Sequence, residues 1–330
     1  MEYKNLGNSH LKLSQITFGA WAIGGWMWGG ADKDDALDAL VAAIDNGITT
    51  IDTAAVYGFG QSEQLIGQAI KGKRDKLQIL TKYGLRWEDT KGQYYFKTVS
   101  NEGKTLDVYK YASKASVINE CEISLKNLGT DYIDLYQIHW PDSTTPIHET
   151  MEAMEILIKQ GKVRYAGVCN FDTALVDEAL KSFPIISDQV PYSMVNRHIE
   201  LELVPYCAEH NIGILAYSPL QRGLLTGKMA KGYHFNHGDT RPMTGYYREP
   251  NFSRILDFIE TIRPIAQNHK ATVGQVVINW TLQQPGITSA LVGARNRTQV
   301  MENIKALEVS LSMNDMKTIH KNLNNLVLDK

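Results

Sequence analysis

An α/β fold closed as an eight-stranded (β/α)8 barrel is the architecture the sequence predicts, and three observations predict it. Short, nearly continuous apolar runs recur along the 330 residues, as strands buried on both faces of a parallel sheet require. Each run is followed by apolar residues at helical spacing, and the alternation repeats eight times. The GxGxxG turn that an open dinucleotide-binding sheet carries after its first strand is missing, and Gly24-Gly25 does not supply it. The expectation is therefore a TIM barrel forming one domain over residues 1–330, with an N-terminal β-hairpin and extra C-terminal helices; an open doubly wound sheet is the alternative.

The elements follow in order. Residues 2–14 read as a hairpin turning at Gly7-Asn8, since both residues tolerate positive φ. Strands are expected at 16–19, 48–52, 77–82, 132–139, 163–167, 186–190, 214–217 and 287–292. Helices are expected at 34–46, 62–70, 113–128, 148–159, 173–180, 201–210 and 273–283, with a short one from Thr298 and a terminal one from Asn314. Gly47, Gly129 and Gly161 stand as helix stops. Two long insertions, 86–112 and 228–253, follow strands on the carboxyl side, where barrels build their sites, and read as substrate or cofactor covers.

Composition narrows the function classes. A net charge of -2 gives no basic excess for phosphate backbones, which argues against nucleic acid as a partner. Three widely spaced cysteines, Cys121, Cys169 and Cys207, form neither a disulfide framework nor a CxxC zinc pattern, and a reducing cytoplasm fits them best. No metal site is expected, because no second His or Cys lies at ligand spacing from His139. The apolar window 18–30 is shorter than the ~20 residues of a spanning helix and glycine-rich, so no membrane partner is expected. The oligomeric state is left open.

The chemistry gathers at strand ends. Asp52, Lys82 and His139 end the second, third and fourth runs, and Tyr57 stands in the loop after the second. Adjacent strands are ~4.8 Å apart, so a barrel can bring the four to one mouth. There Tyr57 would act as general acid toward a carbonyl, with Lys82 lowering its pKa, Asp52 holding the lysine charged, and His139 donating to the substrate oxygen. Taken singly, each has a plainer reading: a turn aspartate, a packing tyrosine, a solvated lysine, a structural histidine.

These four residues, in this order and context, resemble the aldo-keto reductase superfamily. The resemblance covers nearly the whole chain. It rests on Asp52-Thr53-Ala54 with Tyr57-Gly58, Thr81-Lys82, Gln137-Ile138-His139, Gly161-Lys162-Val163-Arg164, and Gly167-Val168-Cys169-Asn170-Phe171. Gln189-Val190-Pro191-Tyr192-Ser193, Tyr217-Ser218-Pro219-Leu220 with residues 223–228, and Gly293-Ala294-Arg295 extend it. The pattern is similar to bacterial aldo/keto reductases and to potassium-channel β subunits. The latter imply a rival, a nucleotide-sensing regulatory module with slow or no turnover, but they carry Asn where His139 stands.

What the resemblance implies is NADP(H)-dependent reduction of an aldehyde, ketone or sugar carbonyl, reversibly, with Asp52, Tyr57, Lys82 and His139 catalytic. It implies that Asn170 and Gln189 hold the cofactor's carboxamide beside Cys169, with Tyr217 stacked on the nicotinamide and Gly19, Trp21 and Asp52 nearby. Ser218, Pro219, Leu220, Gly223, Leu225 and Lys228 would wrap the pyrophosphate. Gly293, Arg295, Arg297, Gln299, Glu302 and Asn303 would surround the adenosine and its 2′-phosphate. Two positions depart from the pattern: Cys169 stands where many members have Ser, and Gln299 where some have Arg. For substrate, Trp21, Trp26, Trp28, Tyr57, Trp87, His139 and Trp140 would gather at the mouth to stack on a sugar or aromatic ring; several of them packing the loop is the alternative.

Overall fold

In a computed structural model that describes residues 1–235 and 238–329, eight parallel strands close into a barrel. In chain order they are Ile16–Gly19, Thr50–Asp52, Gln78–Tyr83, Ile133–Ile138, Val163–Cys169, Ser187–Pro191, Gly213–Tyr217 and Ile287–Gly293. The first and eighth strands pair, Gly293 lying opposite Gly19, and closure leaves no sheet edge. The outer helices are α1 (Lys33–Asp45), α2 (Gln61–Ala69), α3 (Lys114–Leu128), α4 (Ile147–Lys159), α5 (Thr173–Ser182) and α6 (Leu203–Glu209), followed by α7 (Asn251–Asn268), α8 (Val273–Leu282), α9 (Arg297–Ile304) and α10 (Met313–Asn324).

Local signals explain the boundaries. Asp32 caps α1 by accepting from the Asp34 and Asp35 amides at 3.0 and 2.9 Å. Thr272 and Gln275 form a capping box on α8, and Gly129 closes α3 in the left-handed region. The amino hairpin, Tyr3–Asn5 with Lys12–Ser14, lies across the amino mouth of the barrel. Its Leu6, Leu11 and Leu13 join Leu80, Leu135, Leu215 and Leu291 of the strands in one buried cluster. Strand side chains alternate, so an inward leucine fixes the direction of the residue two places on. Leu80 thus turns Lys82 inward, and Leu135 turns Gln137 inward, one layer nearer the carboxyl mouth.

In two regions the structure supplies what the sequence left open or missed. The 86–112 insertion is structured, with Leu85–Arg86, Gln93–Val99 and Thr105–Lys110 forming a three-stranded antiparallel sheet. In the other, α7 occupies residues read as connection. Its apolar face, Phe252, Ile255, Leu256, Ile259, Ile262 and Ile265, has helical spacing. Pro250 before it and Pro264 within it mask that signal, because proline ordinarily breaks helices. Within 228–253 the chain forms short turns at Arg241–Met243 and Gly245–Tyr247, while Asn236 and His237 lie outside the described residues. No helix among the described residues is long and apolar enough to cross a membrane.

Candidate active site

Every strand delivers its last residues to the carboxyl mouth, and a cleft of about 710 Å³ opens there. At its floor, Lys82 is 1% exposed and Asp52 2%. Lys82 Nζ donates to Asp52 Oδ2 at 2.7 Å, to the Thr53 carbonyl at 2.8 Å and to Tyr57 Oη at 3.4 Å. An ammonium has three N–H donors, and all three are used. Asp52 Oδ1 in turn accepts from Gln189 Nε2 at 2.8 Å. The carboxylate is thus held from two strands, and the phenol oxygen accepts from the lysine while keeping its own proton to give. His139 follows the fourth strand, its ring edge-on to Tyr57 with centroids 5.7 Å apart.

Burial sets the protonation states. It opposes the charge on Lys82, but the neighbouring groups, the Asp52 carboxylate foremost, together outweigh it and hold the ammonium above the ordinary lysine range. Burial pushes the Tyr57 phenol up to about 12, more than Lys82 pulls it down. The expectation that Lys82 brings this phenol below its usual value is therefore corrected: the lysine limits the rise, and Tyr57 stays protonated at neutral pH. Burial, then the Lys82 charge, push His139 well below the usual imidazole range, so the ring is neutral and carries one N–H.

The loops are shaped by unusual backbone. Gly58 has φ +63°, and a Cβ there would come 2.5 Å from the Gly24 carbonyl, so only glycine lets the Tyr57 loop seat against the first loop. That contact puts Trp21 over Tyr57, with centroids 6.0 Å apart. Asn170 and Ser218, each directly after a strand, have φ of 61° and 56°. Non-glycine residues in this region cost free energy and concentrate at working sites. Asn170 donates from Nδ2 to the His139 carbonyl at 2.9 Å and accepts from the Tyr217 hydroxyl at 2.8 Å.

Most of the residues expected at the cofactor and substrate sites line this cleft. They include Gly19, Trp21, Trp26, Trp28, Tyr57, His139, Trp140, Asn170, Gln189, Tyr217, Ser218, Pro219, Leu220, Gly223, Lys228, Gly293, Arg295, Gln299, Glu302 and Asn303. Four sit elsewhere. Trp87 packs edge-on against Phe59, centroids 5.2 Å apart, in the layer behind the cleft wall. Leu225 is wholly buried, because the turn over residues 221–226 points its apolar side chain into the core. Cys169 is 1% exposed beneath the mouth. Arg297 is turned outward by a two-pronged pair with Asp38, its Nη2 to Oδ1 distance 2.7 Å. Sequence reasoning missed Tyr95 and Phe96, which the small antiparallel sheet brings to the wall, and Met27, Arg222, Met229 and Arg241. Arg222 had a legible signal, a cation beside the glycine of the 223–228 stretch; the others depend on loop shape.

The cleft is long, with the tetrad at one end and Arg295, Gln299, Glu302 and Asn303 at the other. Between them Gln221, Arg222 and Gly223 have φ of 45°, 54° and 99°. The Gln221 and Gly223 amides are used within this turn, donating to the Ser218 and Leu220 carbonyls at 2.9 Å each. Comparison with known families settles the class: the Aldo/keto reductase family model matches residues 15–324. The chain belongs to the aldo/keto reductase family. It is 39% identical to the aldo-keto reductase YhdN of Bacillus subtilis, over all of this chain and 96% of that one. It is 36% identical to the NADH-specific methylglyoxal reductase of Escherichia coli, over 93% of this chain and 94% of that one. Among solved structures, the glycerol dehydrogenase of Gluconobacter oxydans superposes with a TM-score of 0.88 at 35% identity, covering 99% of this chain and 97% of that one. This aldo/keto reductase is thus an oxidoreductase of a family that uses nicotinamide cofactors, and the residues at its cleft fit such a group.

Proposed function

We propose that this aldo/keto reductase converts an aldehyde, ketone or sugar carbonyl to the alcohol, reversibly, with NADP(H) as cofactor and Tyr57 as proton donor. The observation that carries the reading is the tetrad: a phenol whose oxygen accepts from a buried ammonium at 3.4 Å, beside a neutral imidazole. The nicotinamide, when bound, supplies the hydride. Tyr57 gives its proton to the carbonyl oxygen as that oxygen gains charge. Lys82 stabilises the phenolate left behind, and Asp52 keeps Lys82 charged. His139 donates a neutral N–H to the same oxygen, and Gln189 fixes the Asp52 carboxylate. Asn170, Tyr217 and Ser218 form the wall on which the nicotinamide would lie.

Because His139 is neutral and Tyr57 protonated across the neutral range, the rate of reduction should show no inflection near the ordinary histidine pKa of ~6.5. Rates measured from about pH 5.5 to 8.5 should be flat, and a titration centred near 6.5 would contradict the assigned states.

For the phosphorylated cofactor, support comes from Lys228 and Arg295, two cations at the adenosine end of the cleft, with the start of α9 beside them. The case rests on fewer cations than the sequence promised, since Arg297 is spent on Asp38 and Lys228 lies 2.6 Å from Glu302. The expected preference for NADPH over NADH is accordingly small, about tenfold in Kd. Equilibrium titration with both cofactors checks it, and tighter binding of NADH would reverse the assignment. The three cysteines are free and buried, which agrees with a cytoplasmic setting. A panel of aldehydes and sugars, read by consumption of reduced cofactor, tests the substrate class; turnover of none of them would overturn the reading.

A further inference from the structure

At the outer wall of the cleft stands a group of donors that the carbonyl chemistry does not use. Trp21 Nε1, Trp28 Nε1 and Arg222 Nε are each shielded from solvent and have no hydrogen-bond partner. The three residues are neighbours. The Arg222 guanidinium lies 4.9 Å from the Trp21 ring centroid and 4.8 Å from that of Trp28, and the two indoles meet edge-on at 5.5 Å. All three line the cleft.

Arg222 also lacks a carboxylate paired directly with it among the described residues. Its Nη2 donates to the Met27 carbonyl at 2.9 Å and the Thr240 hydroxyl at 3.1 Å, and among the described residues no carboxylate lies within ion-pair distance of it. The nearby carboxylate, Asp239, is engaged by Arg241, whose Nη2 approaches Oδ2 at 2.6 Å. Two guanidiniums therefore share one carboxylate. Burial pulls Arg222 down to about 10, which leaves it charged at neutral pH. A half-buried cation beside N–H donors that have no partner is the complement of an oxyanion.

We propose that Trp21, Trp28 and Arg222 form an oxyanion site for a carboxylate or phosphate carried by the substrate, so that the preferred substrates are anionic carbonyl compounds. The inference rests on the carbonyl-reductase reading of the cleft. A single indole, Trp21, separates Arg222 from Tyr57, so the carbonyl sits over Tyr57 while the oxyanion reaches past Trp21. A compound with several atoms between the two groups spans this arrangement, and one with adjacent groups does not.

The test compares 4-formylbenzoate with its neutral counterpart 4-formylbenzamide. In the wild type kcat/KM should favour the carboxylate by about tenfold or more, since charge-assisted hydrogen bonds to a half-buried cation are strong. Arg222→Met should erase that ratio through the KM of the carboxylate, Arg222→Lys should keep part of it, and Trp28→Phe, which retains a ring but loses the N–H, should lower it a few-fold. An unchanged ratio in Arg222→Met would overturn the proposal. So would an equal loss on both aldehydes with weaker cofactor binding, which would assign the donors to the cofactor's pyrophosphate. Quenching of tryptophan fluorescence by the same two compounds reads binding alone. If the wild type reduced neither aldehyde, the reductase reading would fail, while equal affinities would sink the oxyanion site independently.

Discussion

Replacement of Tyr57 by phenylalanine is expected to lower carbonyl reduction by ~10²- to 10⁴-fold, the contribution typical of a positioned proton donor. The ring keeps its place, because its contacts to Trp21 and His139 are made by carbon faces and edges. What disappears is the hydroxyl that accepts from Lys82 and delivers a proton to the substrate oxygen. Cofactor affinity should therefore stay near the wild-type value while kcat falls. Fluorescence titration of the cofactor beside steady-state kinetics separates the two. Retained turnover would mean that another group, or water, supplies the proton.

Replacement of Asp52 by alanine should cost both stability and rate. Lys82 is 1% exposed, and its counter-charge sits 2.7 Å away. Removing one partner of a buried pair strands the other charge and destabilises by ~3–5 kcal/mol. A fall in the urea midpoint with unchanged slope measures it. Asp52→Asn keeps the volume and isolates the charge. Without the carboxylate, burial lowers the lysine, so its ammonium persists at low pH and is lost as pH rises. In the wild type the folded-state pKa of Lys82 is raised above its ordinary value, so the lysine's contribution holds through the neutral range and is lost as pH rises past the lysine range, while burial raises the Asp52 carboxyl above its usual range. Activity in Asp52→Asn should consequently decline with rising pH across a range where the wild type is flat. A wild-type melting curve for Asp52→Ala would be falsifying for the coupling.

The barrel and its tetrad were legible in the sequence for a common reason. Inward and outward residues alternate along a strand, so apolar runs ending in Asp52, Lys82 and His139 place three polar groups on one mouth. Asn170, directly after the fifth strand, and Gln189, on the sixth, follow the same logic. What the sequence hid depends on loop conformation. Tyr95 and Phe96 reach the cleft because residues 93–110 fold back as a hairpin, and nothing local to them says so. Trp87 leaves the cleft because Phe59 and the Tyr57 loop stand between. Arg297 looked like a phosphate ligand until Asp38, one helix away, was seen to hold it. Helix α7 was hidden by Pro264 despite an apolar face of helical spacing. Burial reversed one electrostatic expectation too, raising Tyr57 where a neighbouring cation alone would lower it.

The most direct test of the central claim is the fate of the transferred hydrogen. Incubating the enzyme with an aldehyde and reduced nicotinamide cofactor deuterated at the transferring C4 position, then examining the alcohol by NMR, should show one deuterium on the carbinol carbon, and the Tyr57→Phe enzyme should form almost none of this product in the same time. Alcohol without deuterium at that carbon, with the label kept by the cofactor or lost to solvent, would contradict hydride transfer at this cleft.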